Sequence, residues 1–180
     1  MSLMERFFLN HGIAELQGKQ LTLEDIKQEY GIHFEEGFFQ ILYVKTDIML
    51  QIQDYAEDSS TIKNKISDTF YEMFEDICTC ILTNHKLDIL EIGINYPYTS
   101  INEINDKIKE YFDHIFNFVD LFKEYKLTIG IGKPYKKIED FILSEKEARA
   151  AIMSRALLGC GRIIYWKQLG HAEFILTEKE

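Results

Sequence analysis

Basic residues are scarce in this chain. Its 180 residues hold 20 Lys and Arg against 30 Asp and Glu, for a formal net charge of −10. A segment that wraps nucleic acid needs concentrated Lys and Arg to replace counterions, so this balance argues against direct nucleic-acid contact. It argues equally against docking on an anionic membrane surface. Cysteine is also rare. Three residues, Cys78, Cys80 and Cys160, make no disulfide framework, and no CxxC pair or neighbouring His pair offers the spacing of a zinc site. Cys78 and Cys80 are expected on one side of a strand, where they could not easily bridge each other. Buried thiols in a reducing cytoplasm are the expectation. No apolar run approaches the roughly 20 residues of a membrane span, and the N-terminus lacks the pattern of a secretory signal. What the chain does have is apolar and aromatic mass, 46% hydrophobic and 13% aromatic, enough for one globular domain with a full core.

The only two prolines, Pro97 and Pro134, each follow a β run and end it. Residues 4–17 read as a helix loosened at Gly12 and ended at Gly18. Thr22 and Asp25 stand at capping-box spacing before a short helix closed by Gly31. Phe38 to Thr46, FFQILYVKT, is a nearly continuous apolar run, as expected for a central strand covered on at least one face. Ser59 or Ser60 is expected to cap a long helix whose Ile62, Ile66, Phe70, Met73, Phe74 and Ile77 form one stripe. Cys78–Leu82 and Leu87–Ile94 read as the arms of a hairpin, with Thr83-Asn84-His85-Lys86 as its polar turn. Thr99 or Ser100 is expected to cap a second long helix, with Ile101, Ile104, Ile108, Phe112, Ile115, Val119 and Phe122 on one face. His33 reads as a surface or capping residue, and His114, on the flank of that helix, as packed or solvated. The tail from Lys167 carries one apolar patch, AEFIL.

Between the second long helix and the tail lies the unit Leu127–Trp166: the strand LTIGIG, a helix from Ile138 to Leu157, a stop at Gly159 and Gly161, and the strand RIIYW. GIGK has a superficial likeness to a phosphate-cradling loop. That loop needs G-x-x-x-x-G-K-[ST], and here Pro134 stands where Ser or Thr should be. Gly130 and Gly132 are therefore read as packing glycines. Asp47, at the end of the first strand, could hold a metal, but one Asp without a partner carboxylate is more often a turn or cap residue. The element order is two N-terminal helices and then β-α-β-β-α-β-α-β. Such an order makes an α+β domain: a ferredoxin-like, five-stranded antiparallel or mixed sheet with flanking helices, carrying one added helix–strand unit.

With these motifs in this order, the chain resembles the GGDEF (diguanylate cyclase) palm, through TIGIG at 128–132 and KEARAAIMSRALLGCGRIIYW at 146–166. It is more closely similar to the degenerate GGDEF-like domain that sits between receiver and AraC-type helix-turn-helix domains in YesN-type response regulators of Firmicutes. ERFFLNHGIAELQGKQLTLEDIKQEYGI, FFQILYVKTD, the Ser144-x-x-Glu147-Ala148 block and GRIIYW carry that likeness over nearly all of the chain. The resemblance implies residues 1–31 as an N-terminal helical connector, 32–168 as the degenerate domain, and 169–180 as the start of a linker to a DNA-binding module.

The departures from the family matter for function. An active cyclase carries two glycines and two acids at its hairpin, where this chain has Thr83-Asn84-His85-Lys86-Leu87. The family's metal-binding Asp falls near Lys45 or Asp47, with Lys45 aligned to the metal position, and no RxxD inhibitory site precedes the hairpin. Two-metal phosphoryl chemistry needs its carboxylates. The expectation is thus no enzyme, no catalytic residue, no metal and no cofactor. The role implied is a non-catalytic, cytoplasmic signalling domain of a two-component transcription regulator. Its partners would be the neighbouring receiver and helix-turn-helix domains or a second copy of itself. The alternative is a small-molecule or nucleotide sensor using the vestigial cleft, with Asp47, His85 and Lys86 as its polar contacts.

Overall fold

The apolar run at Phe38 lies at the centre of the sheet. The computed structural model describes residues 3–8, 22–48, 56–86 and 89–169. Strand β1 (Phe38–Ile48) pairs antiparallel with β3 (Ile89–Tyr96) on one side and with β4 (Tyr125–Ile131) on the other. β2 (Cys80–Lys86) lies antiparallel outside β3, and the short β5 (Ile163–Tyr165) lies parallel outside β4. The order across the sheet is β2-β3-β1-β4-β5. Helix α3 (Ala56–Phe74) connects β1 to β2, and α4 (Ile101–Asp120) connects β3 to β4. Two helical crossovers around one hairpin give the split β-α-β order expected from the sequence. Helix α5 (Phe141–Met153) and β5 are the added unit.

Successive strand residues face opposite sides, and β1 is apolar on both. Leu42 and Val44 pack with Ile62, Ile66, Phe70 and Phe74 of α3 and with Ile104, Ile108, Ile115 and Val119 of α4. Tyr111 lies edge-on to Phe70 in the same layer and satisfies its buried hydroxyl on the Ile66 carbonyl at 2.9 Å. Phe39, Ile41 and Tyr43 face the other way, toward α5, the helical residues 3–8 (α1) and α2 (Leu23–Tyr30). Here Phe141 is fully buried among Phe7, Phe8, Phe34 and Phe39. Each such ring adds about 1.5–3 kcal/mol of burial. Met4, Phe7, Ile26 and Tyr30, from the stretch expected as a connector, belong to this core together with Ile32 and Phe34.

Local signals explain the element ends. The Thr22 hydroxyl accepts from the Asp25 amide at 3.1 Å while Asp25 accepts from the Thr22 amide at 3.0 Å, the expected capping box. Gly31 ends α2 at φ 67°, a left-handed cap. On β4, a Cβ at Gly132 would lie 2.1 Å from the Ser144 carbonyl oxygen and one at Gly130 2.6 Å from the Ile152 nitrogen. The missing side chains let α5 lie directly on the strand, and the Ser144 hydroxyl accepts from the Ile41 amide at 2.9 Å.

Several expectations change. Thr83-Asn84-His85-Lys86 is not a turn: all four residues are β2, paired with Ile92, Glu91, Leu90 and Ile89. An edge strand tolerates polar residues, and those facing inward find partners across the sheet. Leu87, the last residue of the expected turn phrase, lies outside the described residues. β2 starts at Cys80, and Cys78 precedes it; Cys78 packs against the α3/α4 layer and Cys80 against the α5 layer, so the two thiols do not share a side. α3 begins at Ala56, which puts Ser59 and Ser60 inside the helix instead of at its cap. A 3-10 turn (Tyr98–Ser100) leads into α4, and Ser100 occupies the cap position without a side-chain hydrogen bond. The helix expected from Ile138 to Leu157 breaks at Ser154, whose hydroxyl donates to the Ala151 carbonyl at 2.7 Å, and resumes as α6 (Arg155–Leu158). Gly12, Gly18 and the AEFIL patch lie outside the described residues. Among the described residues, no helix is long and apolar enough to cross a membrane.

Candidate functional site

The polar groups of the α5-facing side collect at the hairpin end of the sheet. Register makes Asn84, Glu91 and Tyr43 direct neighbours across β2, β3 and β1. Glu91 is a buried acid, 4% exposed, within an otherwise apolar strand. It accepts hydrogen bonds from Asn84 and from the Tyr43 hydroxyl, and Lys86 Nζ lies 2.8 Å from its Oε2. The same hydroxyl lies 2.6 Å from Glu145 Oε1 on α5. A phenol carries one hydrogen, so Tyr43 serves one carboxylate at a time. Arg149, one helical turn on, donates Nε to Glu145 at 3.0 Å. Burial, followed by the hydrogen bonds and charges of Glu145 and Glu91, pushes Tyr43 far above the ordinary phenol range, so it stays a neutral hydroxyl. Lys86 also reaches Glu5 of α1 at 3.7 Å. Together with Phe8 and Ile142 these groups enclose a hollow of about 290 Å³.

Asp47 lies further along β1 on the same face. Arg155 of α6 holds it bidentately, Nε to Oδ2 at 3.0 Å and Nη2 to Oδ1 at 3.2 Å. Lys45 Nζ stands 3.7 Å from Oδ1, and the Cys160 thiol donates to Oδ2 at 3.3 Å. Burial pushes the Asp47 carboxyl up, but the Arg155 and Cys160 hydrogen bonds and the charges of Arg155 and Lys45 outweigh it and hold the group below its ordinary value. Burial first, then Asp47, raises the Cys160 thiol. Arg155 is itself fixed by a bond from Nη1 to the Ile152 carbonyl at 2.9 Å. With these partners Asp47 is an anchored ion, its oxygens already engaged.

The three residues expected to share a cleft are thus divided. Asp47 and Lys86 face the α5 side, each with its own partners. His85, between Asn84 and Lys86 on β2, faces the opposite side and is exposed. Among the described residues, no group of three or more His, Cys, Asp or Glu is placed to hold a metal. Sequence reading missed Tyr43, Glu91, Glu145, Arg149, Arg155 and Cys160. One signal was present: Glu91 interrupts ILEIGINY, and an acid inside an apolar strand calls for a buried partner. No protein-family model, curated protein or solved structure matches the chain.

Proposed function

We propose that this chain is a non-catalytic regulatory domain of a cytoplasmic, AraC-type two-component transcription regulator. It would pass the state of a receiver to a DNA-binding module by self-association or by packing against its neighbours. The observation that carries the reading is the Arg155–Asp47–Lys45 cluster. At the strand end where the GGDEF resemblance calls for an open metal carboxylate, Lys45 stands at the metal position, and Asp47, at the second, non-ligand acid position, is clamped by the Arg155 guanidinium. Two cations held at that point oppose metal entry, and phosphoryl transfer by that route needs the metal.

Exposed apolar residues supply the means of association. Leu121 (76% exposed) follows α4, Leu157 (79%) lies on α6 and Met153 (64%) ends α5. Each leaves apolar area open to water, and covering it on contact would favour association. The test is sedimentation velocity over a concentration series, for the chain and for Leu157→Asp and Leu121→Asp, with a reporter gene read from the same substitutions in the full regulator. A concentration-dependent dimer, or a loss of signal response, supports the proposal. Any cyclic dinucleotide made from GTP with Mg²⁺ or Mn²⁺ overturns it.

The hollow of about 290 Å³ beside Lys86 and Glu91 favours a second reading, small-molecule sensing at the hairpin end. A thermal-shift series with guanine nucleotides, repeated with Lys86→Ala, separates the two readings.

A further inference from the structure

The opposite end of the sheet carries a second concave region, independent of the regulatory reading. Two adjoining hollows, of about 240 and 410 Å³, share Asn105, Tyr165 and Lys167 in their walls. They lie where β4 and β5, the parallel pair, reach their C-terminal ends, beside the first turns of α4. Outside the carboxyl ends of neighbouring parallel strands is where open sheets place ligands, because the connecting chains diverge there to opposite faces. α4 leaves the carboxyl end of β3 on one face, and α5 leaves that of β4 on the other.

The lining has an unusual charge for this protein. The chain as a whole has 20 basic and 30 acidic residues. Across both hollows the charged residues are Lys109, Lys133 and Lys167 against Asp106 alone. Lys109 pairs with Asp106 at 3.1 Å and Lys133 with Glu147 at 3.3 Å, both lysines being solvent-exposed. The Lys109–Asp106 pair is exposed on both sides, so it is worth little and exchanges readily for a ligand anion, whereas Glu147 is half-buried and stays with Lys133. A positive pocket on an acidic surface concentrates anions locally.

The same walls carry Trp166, the chain's single tryptophan, and Tyr165, with Lys167 Nζ 5.4 Å above the Tyr165 ring. A partly exposed aromatic beside a cation accepts a stacked base in a sequence-tolerant way. Asn105 spends its amide donor on the Ile101 carbonyl at 2.8 Å, which turns its oxygen into an acceptor for a base edge. The floor is firm. Gln40, 3% exposed, donates to the Gly132 carbonyl at 2.9 Å and accepts from Tyr96 at 2.8 Å.

We propose that this cleft binds a nucleoside monophosphate, its base against Trp166 and Tyr165 and its phosphate among Lys133, Lys167 and Lys109. Because Trp166 is the only indole, its fluorescence reports the site directly. Adenosine and guanosine 5′-monophosphate should each give a saturable change in emission. In Lys167→Glu the affinity should fall about tenfold or more, as expected on losing one charge-assisted contact. Trp166→Phe, read by calorimetry, should also weaken binding. Lys167 is exposed, so unchanged circular dichroism is expected in its variant. Three results would overturn the proposal: no saturable change at millimolar nucleotide, a change that survives Lys167→Glu and Asn105→Ala undiminished, or an equal response to ribose 5-phosphate and inorganic phosphate. Binding that Lys86→Ala removes while Lys167→Glu leaves it intact would place the ligand at the hairpin end and overturn it as well.

Discussion

Arg155 donates to both carboxylate oxygens of Asp47 from 108 residues further along the chain, tying the end of the added helix–strand unit to the central strand. The Asp47 side chain is 18% exposed, so removing its partner strands a half-buried charge. Arg155→Ala should cost about 1.5–3 kcal/mol, the range for hydrogen bonds to charged groups.

The same pair sets a pH dependence. The folded carboxyl lies below its ordinary value, whereas the unfolded one titrates near about 3.9. A depressed acid contributes stability that is complete above the unfolded value and is lost as pH falls through the folded one. Urea midpoints measured down an acid series should therefore fall more steeply for the native chain than for Asp47→Asn. Parallel acid limbs would show that the clamp carries no net stabilisation.

Two glycines should respond in opposite proportion. At Gly31 a Cβ meets nothing within 4 Å, and only the φ of 67° opposes it. Gly31→Ala should cost about 1–2 kcal/mol from the left-handed backbone alone. At Gly132 the new Cβ would lie 2.1 Å from the Ser144 carbonyl oxygen, and α5 would have to lift from β4. Gly132→Ala should exceed the usual overpacking range of about 1–3 kcal/mol. Chemical denaturation of both variants ranks them, and an equal cost would mean that α5 moves freely on the strand.

Tyr43 holds two glutamates from two layers. Tyr43→Phe removes the hydroxyl that lies between Glu91 and Glu145, and should destabilise by about 1–3 kcal/mol as a buried acceptor loses its donor. A double-mutant cycle with Glu145→Gln should give a coupling of about 0.5–3 kcal/mol. Additive single effects would assign Glu91 the whole of the bond.

The thiols at and just before the start of β2 should be sluggish. Burial, joined by its neighbour Cys80, pushes Cys78 up to about 12, and burial pushes Cys80 up to about 11. Since the thiolate is the nucleophile, alkylation of both should keep rising with pH and show no plateau below about pH 11. Mild oxidation followed by peptide mapping should find no Cys78–Cys80 bond, because the two side chains pack on opposite layers. Recovery of that bond would mean that the start of β2 rearranges.

What the sequence disclosed was mostly local or periodic. The Thr22–Asp25 box, the Gly31 stop and the stripes on α3 and α4 follow from neighbours within a turn or two. The element order could be read because one hairpin between two helical crossovers admits few arrangements. Thr83–Lys86 misled because polar composition imitates a turn. The register that pairs Asn84 with Glu91 depends on β3, and no propensity in TNHK encodes it. The helix break at Ser154 was hidden for the same reason: its apolar spacing continues, and the Asp47–Arg155 clamp that turns α6 is made across the fold. The polar network around Tyr43 belongs to three strands and a helix, so only Glu91 betrayed it.

The two-sided burial of β1 bears on how the chain is made. Synthesis delivers β1 before its hydrogen-bonding neighbours, which end at Tyr96 and Ile131. At about 5–20 residues per second, the interval from Ile48 to Ile131 is on the order of 4 to 17 seconds. The residues that later contact Phe39, Ile41 and Tyr43 include Phe7, Tyr30 and Phe34, all synthesised beforehand. The nascent strand thus has shelter for one flank at once. Leu42 and Val44 must wait for helices not yet translated, and that flank is where a nascent-chain chaperone would find its hold.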